Sequence, residues 1–218
     1  MTDGPIEGED DATTDDSVDA TGGAGDHAEV TPVADAAALA ALDDDWPVRE
    51  TAVVWENPYF TAGYDVVEHP DGSTGRWYWI DPPDVVAVVA ETDDGEVVVL
   101  DQYDGRLGRS LLNPPSGNVN DGESFVDAGR RELREETGFR AGHAELVKVY
   151  QPTAWARMHQ AVVYATDLTP GPPDRDAGEH LDVYTAPPDA VLEAVRSRDP
   201  VFGPALSSLL VARDAGLV

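Results

Sequence analysis

The chain has 218 residues, 41% hydrophobic and 26% charged, enough for one domain of ordinary size with a core, plus an appendage. Its 43 acidic residues against 14 basic ones give a formal charge of −29, which excludes recognition of nucleic acid or of an anionic membrane through a basic surface. With no cysteine there are no disulfides, thiolate zinc sites or thiol nucleophiles, and no apolar run approaches the roughly 20 residues of a membrane helix.

In chain order, residues 1–45 contain no Lys or Arg and few large apolar side chains. Such a segment buries too little apolar surface to offset its ordering entropy, so a disordered acidic tail is expected, with a short helix over 34–42. The tail lacks the cationic and apolar stretches of a signal peptide, and the expected setting is the cytoplasm. It holds only 14 of the 43 acidic residues, and Lys148 is the sole lysine of the chain. An acidic, lysine-poor surface stays hydrated where salt screens its self-repulsion, and the composition resembles that of salt-accumulating halophiles. From Trp46 onward, strands are predicted over 51–56, 62–68 and 76–80, the last two joined by a turn at Asp71-Gly72. Asp81-Pro82-Pro83 marks a boundary between an N-terminal β subdomain (46–80) and a larger domain (81–218). Buried strands follow over 85–90 and 97–101 around Asp93-Asp94-Gly95, then a loop holding Asn113-Pro114-Pro115-Ser116-Gly117. A helix is predicted over 124–137, strands over 144–150, 161–166 and 181–184, a loop over 169–178, and helices over 189–197 and 204–215. Strands mixed with a few helices predict an α/β fold with helices on the faces of a mixed sheet.

The helix over 124–137 carries the chemistry. Ser124 suits its N-cap and Gly138 its termination, while Phe125, Ala128 and Leu133 have core spacing. Glu132, Glu135 and Glu136 fall three and four residues apart, on one side, near the end where the helix dipole disfavours anions. Spacing alone fits two readings: a site for a hard cation such as Mg²⁺ or Mn²⁺, or a solvated acidic face balanced by Arg131 and Arg134.

The wider pattern resembles the complete Nudix box: Gly117, five residues, Glu123, seven residues, then Arg131-Glu132-Leu133-Arg134-Glu135-Glu136-Thr137-Gly138-Phe139. The resemblance implies the Nudix fold, an α/β/α sandwich around a mixed sheet with a small N-terminal antiparallel β subdomain, and a divalent-metal-dependent hydrolase of a diphosphate joined to another group. It implies that Glu132, Glu135 and Glu136 hold Mg²⁺ (or Mn²⁺), with the Ser116 carbonyl as a further metal ligand, and that Arg131 orients a carboxylate. It assigns Glu123 a structural part in the loop and Gly117 the tight turn before the helix. The metal would answer the objection that a polyanionic protein meets a polyanionic substrate.

Outside the box, Glu56-Asn57-Pro58-Tyr59-Phe60, Gln102-Tyr103 and Ala165-Thr166-Asp167-Leu168-Thr169-Pro170-Gly171 are similar to the ADP-ribose pyrophosphatase branch of the family. That branch implies a small-molecule nucleotide substrate and a homodimer in which the N-terminal strands help build the partner's site. Tyr59 and Phe60 match the region where an aromatic stacks on the base, and fit hairpin core equally. Several positions depart from the branch: Asn113 replaces a Glu, Asp104 an Arg, and Pro152-Thr153-Ala154-Trp155 a Ser-Pro-Gly motif. In the late acidic loop Glu179 matches a catalytic base or metal ligand, while a second acidic position holds Ala177. A non-hydrolytic nucleotide-binding regulator on the same fold is the alternative, distinguished by binding without release of AMP.

Overall fold

Two apolar runs of the sequence lie side by side at the centre of the protein. The computed structural model describes residues 33, 35–42, 45–175, 178 and 180–218. β4 (Val85–Ala90) pairs in parallel with β9 (Gln160–Thr169), from Val85 opposite Gln160 to Ala90 opposite Ala165. β7 (Ser116–Asn118) runs antiparallel along the other edge of β4, and β8 (Arg140–Tyr150) antiparallel along β9, giving a mixed sheet in the order β7-β4-β9-β8. A second sheet, β10-β5-β6, joins Leu181–Ala186, Val97–Asp104 and Arg109–Asn113 in antiparallel register.

Side-chain alternation along these strands sorts the core into two layers. Val86, Val88 and Ala90 of β4, with Ala161, Val163 and Ala165 of β9, pack against α2 (Phe125–Thr137) through Ala128 and Leu133. Val89, Val162, Val97 and Val99 pack the opposite way, against α3 (Pro188–Arg196) and α4 (Gly203–Asp214). Because apolar residues occupy both faces of β4, the strand reads as one continuous hydrophobic run rather than an alternating one. Helices on both sides of a mixed sheet make the α/β/α sandwich that the resemblance implies.

β1 (Val48–Glu56), β2 (Thr61–Glu68) and β3 (Thr74–Asp81) form a separate antiparallel sheet, β1-β2-β3. It is tied to the rest through the segment after β8: Ile80 N–H donates to Trp155 O at 2.9 Å and Arg157 N–H donates to Ile80 O at 2.8 Å. Arg157 also stacks over the Trp79 ring, 3.9 Å from its centroid, and is hydrogen-bonded to Asp65. Residues 46–218 form one compact unit by their contacts. The expected disordered tail falls largely outside the described residues. Within it lies α1 (Ala36–Ala40), where the Asp35 carboxylate accepts the Ala38 N–H at 2.8 Å as N-cap.

Two segments differ from the sequence expectation. The segment read as a loop around Asn113 contains β6 and β7, interrupted at Pro114 and Pro115, which are almost wholly buried. β8 begins at Arg140 rather than 144, immediately after Gly138 ends the helix.

Candidate active site

α2 begins and ends where its caps dictate. Ser124 Oγ accepts the Asp127 N–H at 3.1 Å, and Gly138 closes the helix in the left-handed region at φ 83°. Between them the sequence turns Ala128 and Leu133 to the sheet and leaves a polar face bearing Arg131, Glu132 and Glu135.

Arg131 is the hub of that face. Its Nε and Nη2 form a fork on Glu123, at 3.0 and 2.9 Å. Nη1 donates to Glu132 at 2.6 Å and Glu135 at 3.2 Å, and Nη2 also donates to the Asn118 carbonyl at 2.7 Å. The guanidinium therefore joins the loop before the helix to two of its three carboxylates. Glu123 is held below its ordinary pKa chiefly by the hydrogen bonds from Arg131, and Arg131 is raised chiefly by Glu123. Charge-assisted, two-pronged geometry of this kind needs arginine rather than lysine.

Glu136 differs from its neighbours. Only 2% exposed, it faces inward from the last turn, and its carboxylate accepts the Ser116 N–H at 2.9 Å. Ser116 and Gly117 belong to β7, whose contact with the helix is unusually close: a Cβ on Gly117 would sit 2.2 Å from the Glu132 carboxylate. A larger residue there would have to push the Glu132 carboxylate off its hydrogen bond from Arg131, which gives Gly117 a reason for its identity.

The donor set is all oxygen: three glutamates from α2 and the backbone at Ser116. That chemistry suits a hard divalent cation. Among the described residues no three His, Asp or Glu side chains converge into a ready cage. Glu132 and Glu135 are drawn toward the guanidinium of Arg131, while Glu136 is turned to Ser116.

Beside this face lies a cavity of about 390 Å³. Ser116 and Glu136 line its end nearest α2, Gln102, Asp104 and Arg106 belong to its wall from the β5 side, and Phe202 lines it from the start of α4. Arg106 is the only cation lining it among the described residues, and is hydrogen-bonded to Asp104, whose pKa it lowers.

The structure thus brings Arg131, Glu132, Glu135, Glu136 and Ser116 together. Tyr59 and Phe60 lie at the β1–β2 turn, where the Asn57 side chain accepts both their N–H groups, and neither lines the cavity. Phe60 packs edge-on against Trp55, at 5.1 Å between centroids, while Tyr59 is 78% exposed. Glu179 and Ala177 fall outside the described residues. The sequence reading missed Arg175, whose Nε donates to the Glu136 carbonyl at 2.9 Å and Nη1 to the Leu181 carbonyl at 3.0 Å. With Asp174 N–H donating to Glu135 O, it fastens the late loop to the end of α2. Its one signal in the sequence was a lone basic residue within an acidic loop.

A Nudix domain, by its family description, matches residues 81–206, more than half of the chain and including every residue of this carboxylate face. The chain belongs to the Nudix family. A protein named ADP-ribose pyrophosphatase from Bacillus subtilis is 29% identical over 136 residues, covering 61% of this chain and 74% of that one. A Streptomyces rubellomurinus protein named CMP-5'-(N-acetyl-N-hydroxy-3-aminopropyl)phosphonate hydrolase is 27% identical over 172 residues, 76% of this chain and 82% of that one. Among solved structures, one described as an ADP compounds hydrolase superposes with a TM-score of 0.69 at 22% identity, over 80% of this chain and 98% of its own; that likeness concerns the fold. The protein is therefore a Nudix hydrolase, a family that uses divalent metal ions and acts on small nucleotides. No helix among the described residues is long and apolar enough to cross a membrane.

Proposed function

We propose that this Nudix hydrolase uses Mg²⁺ (or Mn²⁺) to cleave a nucleoside diphosphate linked to another group, with ADP-ribose as the leading substrate, in the cytoplasm of a salt-accumulating cell. Water would add at one phosphorus, the bridging P–O bond would break, and AMP and ribose 5-phosphate would leave as dianions with release of two protons. The observation that carries this reading is the junction of the α2 carboxylate face with the cavity through Glu136 and Ser116. The two relatives support it, since both of their names join a nucleotide to a second group.

Glu132, Glu135, Glu136 and the Ser116 carbonyl would hold the cation, which when bound offsets phosphate charge and makes water nucleophilic. Arg131 donates hydrogen bonds to Glu132 and Glu135, positioning both carboxylates, and fixes Glu123 against the loop. Glu179 is proposed as the late-loop acid that takes the water's proton or adds a ligand. The fastening of that loop by Arg175 is consistent with such a role.

The N-terminal sheet is proposed to pair with a second copy. Val53, Val54, Trp55, Trp77 and Tyr78 are all more than half exposed, an apolar surface out of keeping with the acidity of the chain. In that homodimer Tyr59 and Phe60 would stack on the base bound by the partner subunit.

The test is product chromatography in high salt with Mg²⁺ over ADP-ribose, NADH, dinucleoside polyphosphates and oxidised dNTPs. AMP and ribose 5-phosphate from ADP-ribose are expected. Cleavage of a different compound alone would replace the substrate, and binding without any product would replace the enzyme by a regulator.

A further inference from the structure

The chain between β8 and β9, residues 151–159, contributes Pro152 and Met158 to the cavity beside α2 but has almost no regular structure of its own. It is seated on the N-terminal sheet. Ile80 of β3 donates to the Trp155 carbonyl and accepts from the Arg157 N–H, so residues 155–157 lie beside it as a short parallel strand centred on Ala156. The side chain of Arg157 then lands on a platform to which all three strands contribute. Thr51 of β1, Gly63 and Asp65 of β2 and Trp79 of β3 share one face of the sheet. Trp79 is buried and packs so closely on Gly63 that a Cβ there would sit 2.6 Å from its ring. The Asp65 carboxylate accepts the Trp79 Nε1–H at 3.1 Å and the Thr51 hydroxyl at 2.9 Å, and it pairs with Arg157, whose guanidinium stacks on the ring. On the other side of Met158, the His159 N–H donates to Asp84 Oδ1 at 2.6 Å and the His159 carbonyl accepts the Val85 N–H at 2.9 Å. Met158 therefore lines the cavity between two neighbours that are both held in place.

Main-chain pairing with Ile80 would suffice to tether a loop. The platform does more, because it ties the direction of Arg157 to an aromatic face and a carboxylate together, a combination that suits a planar cation. Asp65 is mostly buried, and a carboxylate there is costly without that cation. We propose that Arg157 is a positioning residue for substrate: held by Asp65 and Trp79, it sets Met158 against the cavity, so that the N-terminal sheet governs substrate affinity within its own subunit. The inference rests on the hydrolase reading above and deepens it, giving an own-subunit part to a sheet proposed to face a second copy. The α2 carboxylates are held separately, by Arg131 and by the Ser116 N–H. A loosened wall at Met158 therefore weakens binding of ground state and transition state alike, and its signature is a raised KM at an unchanged kcat.

The experiment measures KM and kcat for ADP-ribose on the full chain in high salt with Mg²⁺, together with the NMR spectrum of protein carrying ¹³C at its methionine methyls. Met158 is the one methionine besides Met1, so its methyl reports on the cavity wall alone. Arg157→Gln loses both the stack and the charge pair. It is expected to raise KM about tenfold with kcat within about twofold, and to shift or broaden the Met158 methyl signal. Arg157→Lys keeps a charge beside Asp65 and loses the planar stack, so a KM about threefold above wild type is expected. It also serves as the second variant if Arg157→Gln fails to fold by circular dichroism. Adding Asp65→Asn to Arg157→Gln should raise KM no further, since both residues act through one contact. An unmoved methyl signal, an unchanged KM beside a lower melting temperature, a loss confined to kcat, or a full second increase in the double variant would overturn the proposal. Calorimetry with Ca²⁺ gives the Kd of ADP-ribose in parallel. Binding by wild type without AMP release, weakened about tenfold in Arg157→Gln, sinks the hydrolase reading alone. AMP release with equal KM in wild type and variant sinks the positioning role alone, and a wild type that neither binds nor releases overturns both.

Discussion

Glu136 is the carboxylate whose surroundings are most demanding, since a buried anion is costly unless it is hydrogen-bonded or paired with a cation. Glu136→Gln keeps the shape and still accepts the Ser116 N–H, so the variant is expected to fold. Its turnover, and that of Glu135→Gln, should drop by at least ~100-fold, the scale of losing one positioned electrostatic group. Near-normal rates from both variants in the chromatographic assay would count against the carboxylate site. The Arg131–Glu123 fork makes a separate prediction about acid. Because Glu123 titrates lower in the folded chain than its ordinary value near 4.5, the fork's stabilisation is complete above that value and fades as pH falls through the depressed one. The gap in urea midpoint between wild type and Glu123→Gln should therefore hold from pH 7 to 5 and close below about 4. A gap that grew with acidity would contradict it. These side chains were legible in the sequence because helical spacing brings them together. Arg157 was not, since Trp79 and Asp65, the groups it meets, lie far from it along the chain.

At the scale of elements, α2 could be bounded from sequence because its signals are local: a serine that caps its own third residue and a glycine that adopts φ 83°. β6 and β7 could not. Two prolines between them look like a loop, and only pairing with β5 and β4, which the local sequence does not reveal, makes strands of their flanks. The late loop is fastened to α2 by Arg175, which occupies the Glu136 carbonyl at the helix end, where backbone acceptors lack intrahelical partners. Arg175→Ala should loosen that loop and lower kcat on the order of 10- to 100-fold, as misplacement of a catalytic segment does, with little change in melting temperature. Equal kcat in the variant would show that the loop's position does not matter to turnover.

For the whole molecule, charge sets the conditions of folding. A net −29 spread over tail and domain alike repels itself, and at low ionic strength the Debye length grows from about 3 Å at 1 M salt to about 30 Å at 0.01 M. Far-UV circular dichroism should show loss of structure on dialysis from molar to millimolar salt. An unaltered spectrum would argue against a halophilic origin. Composition made that much legible, whereas the exposed Trp55, Trp77 and Tyr78 of the N-terminal sheet emerged only with the strands assembled.

The parallel pairing of β4 with β9 also governs the order of events during synthesis. Val85 cannot meet Gln160 until every residue between them has been made, so the most apolar strand spends that interval with one long edge unsatisfied. β7 is the first neighbour to become available, but it pairs with the opposite edge, and only from Val85 to Ala87. The edge that faces β9, Val85 to Ala90, is left as a template for pairing with other chains until β9 arrives. The acidity that burdens the finished fold would then have a second use, keeping nascent copies apart while that edge waits.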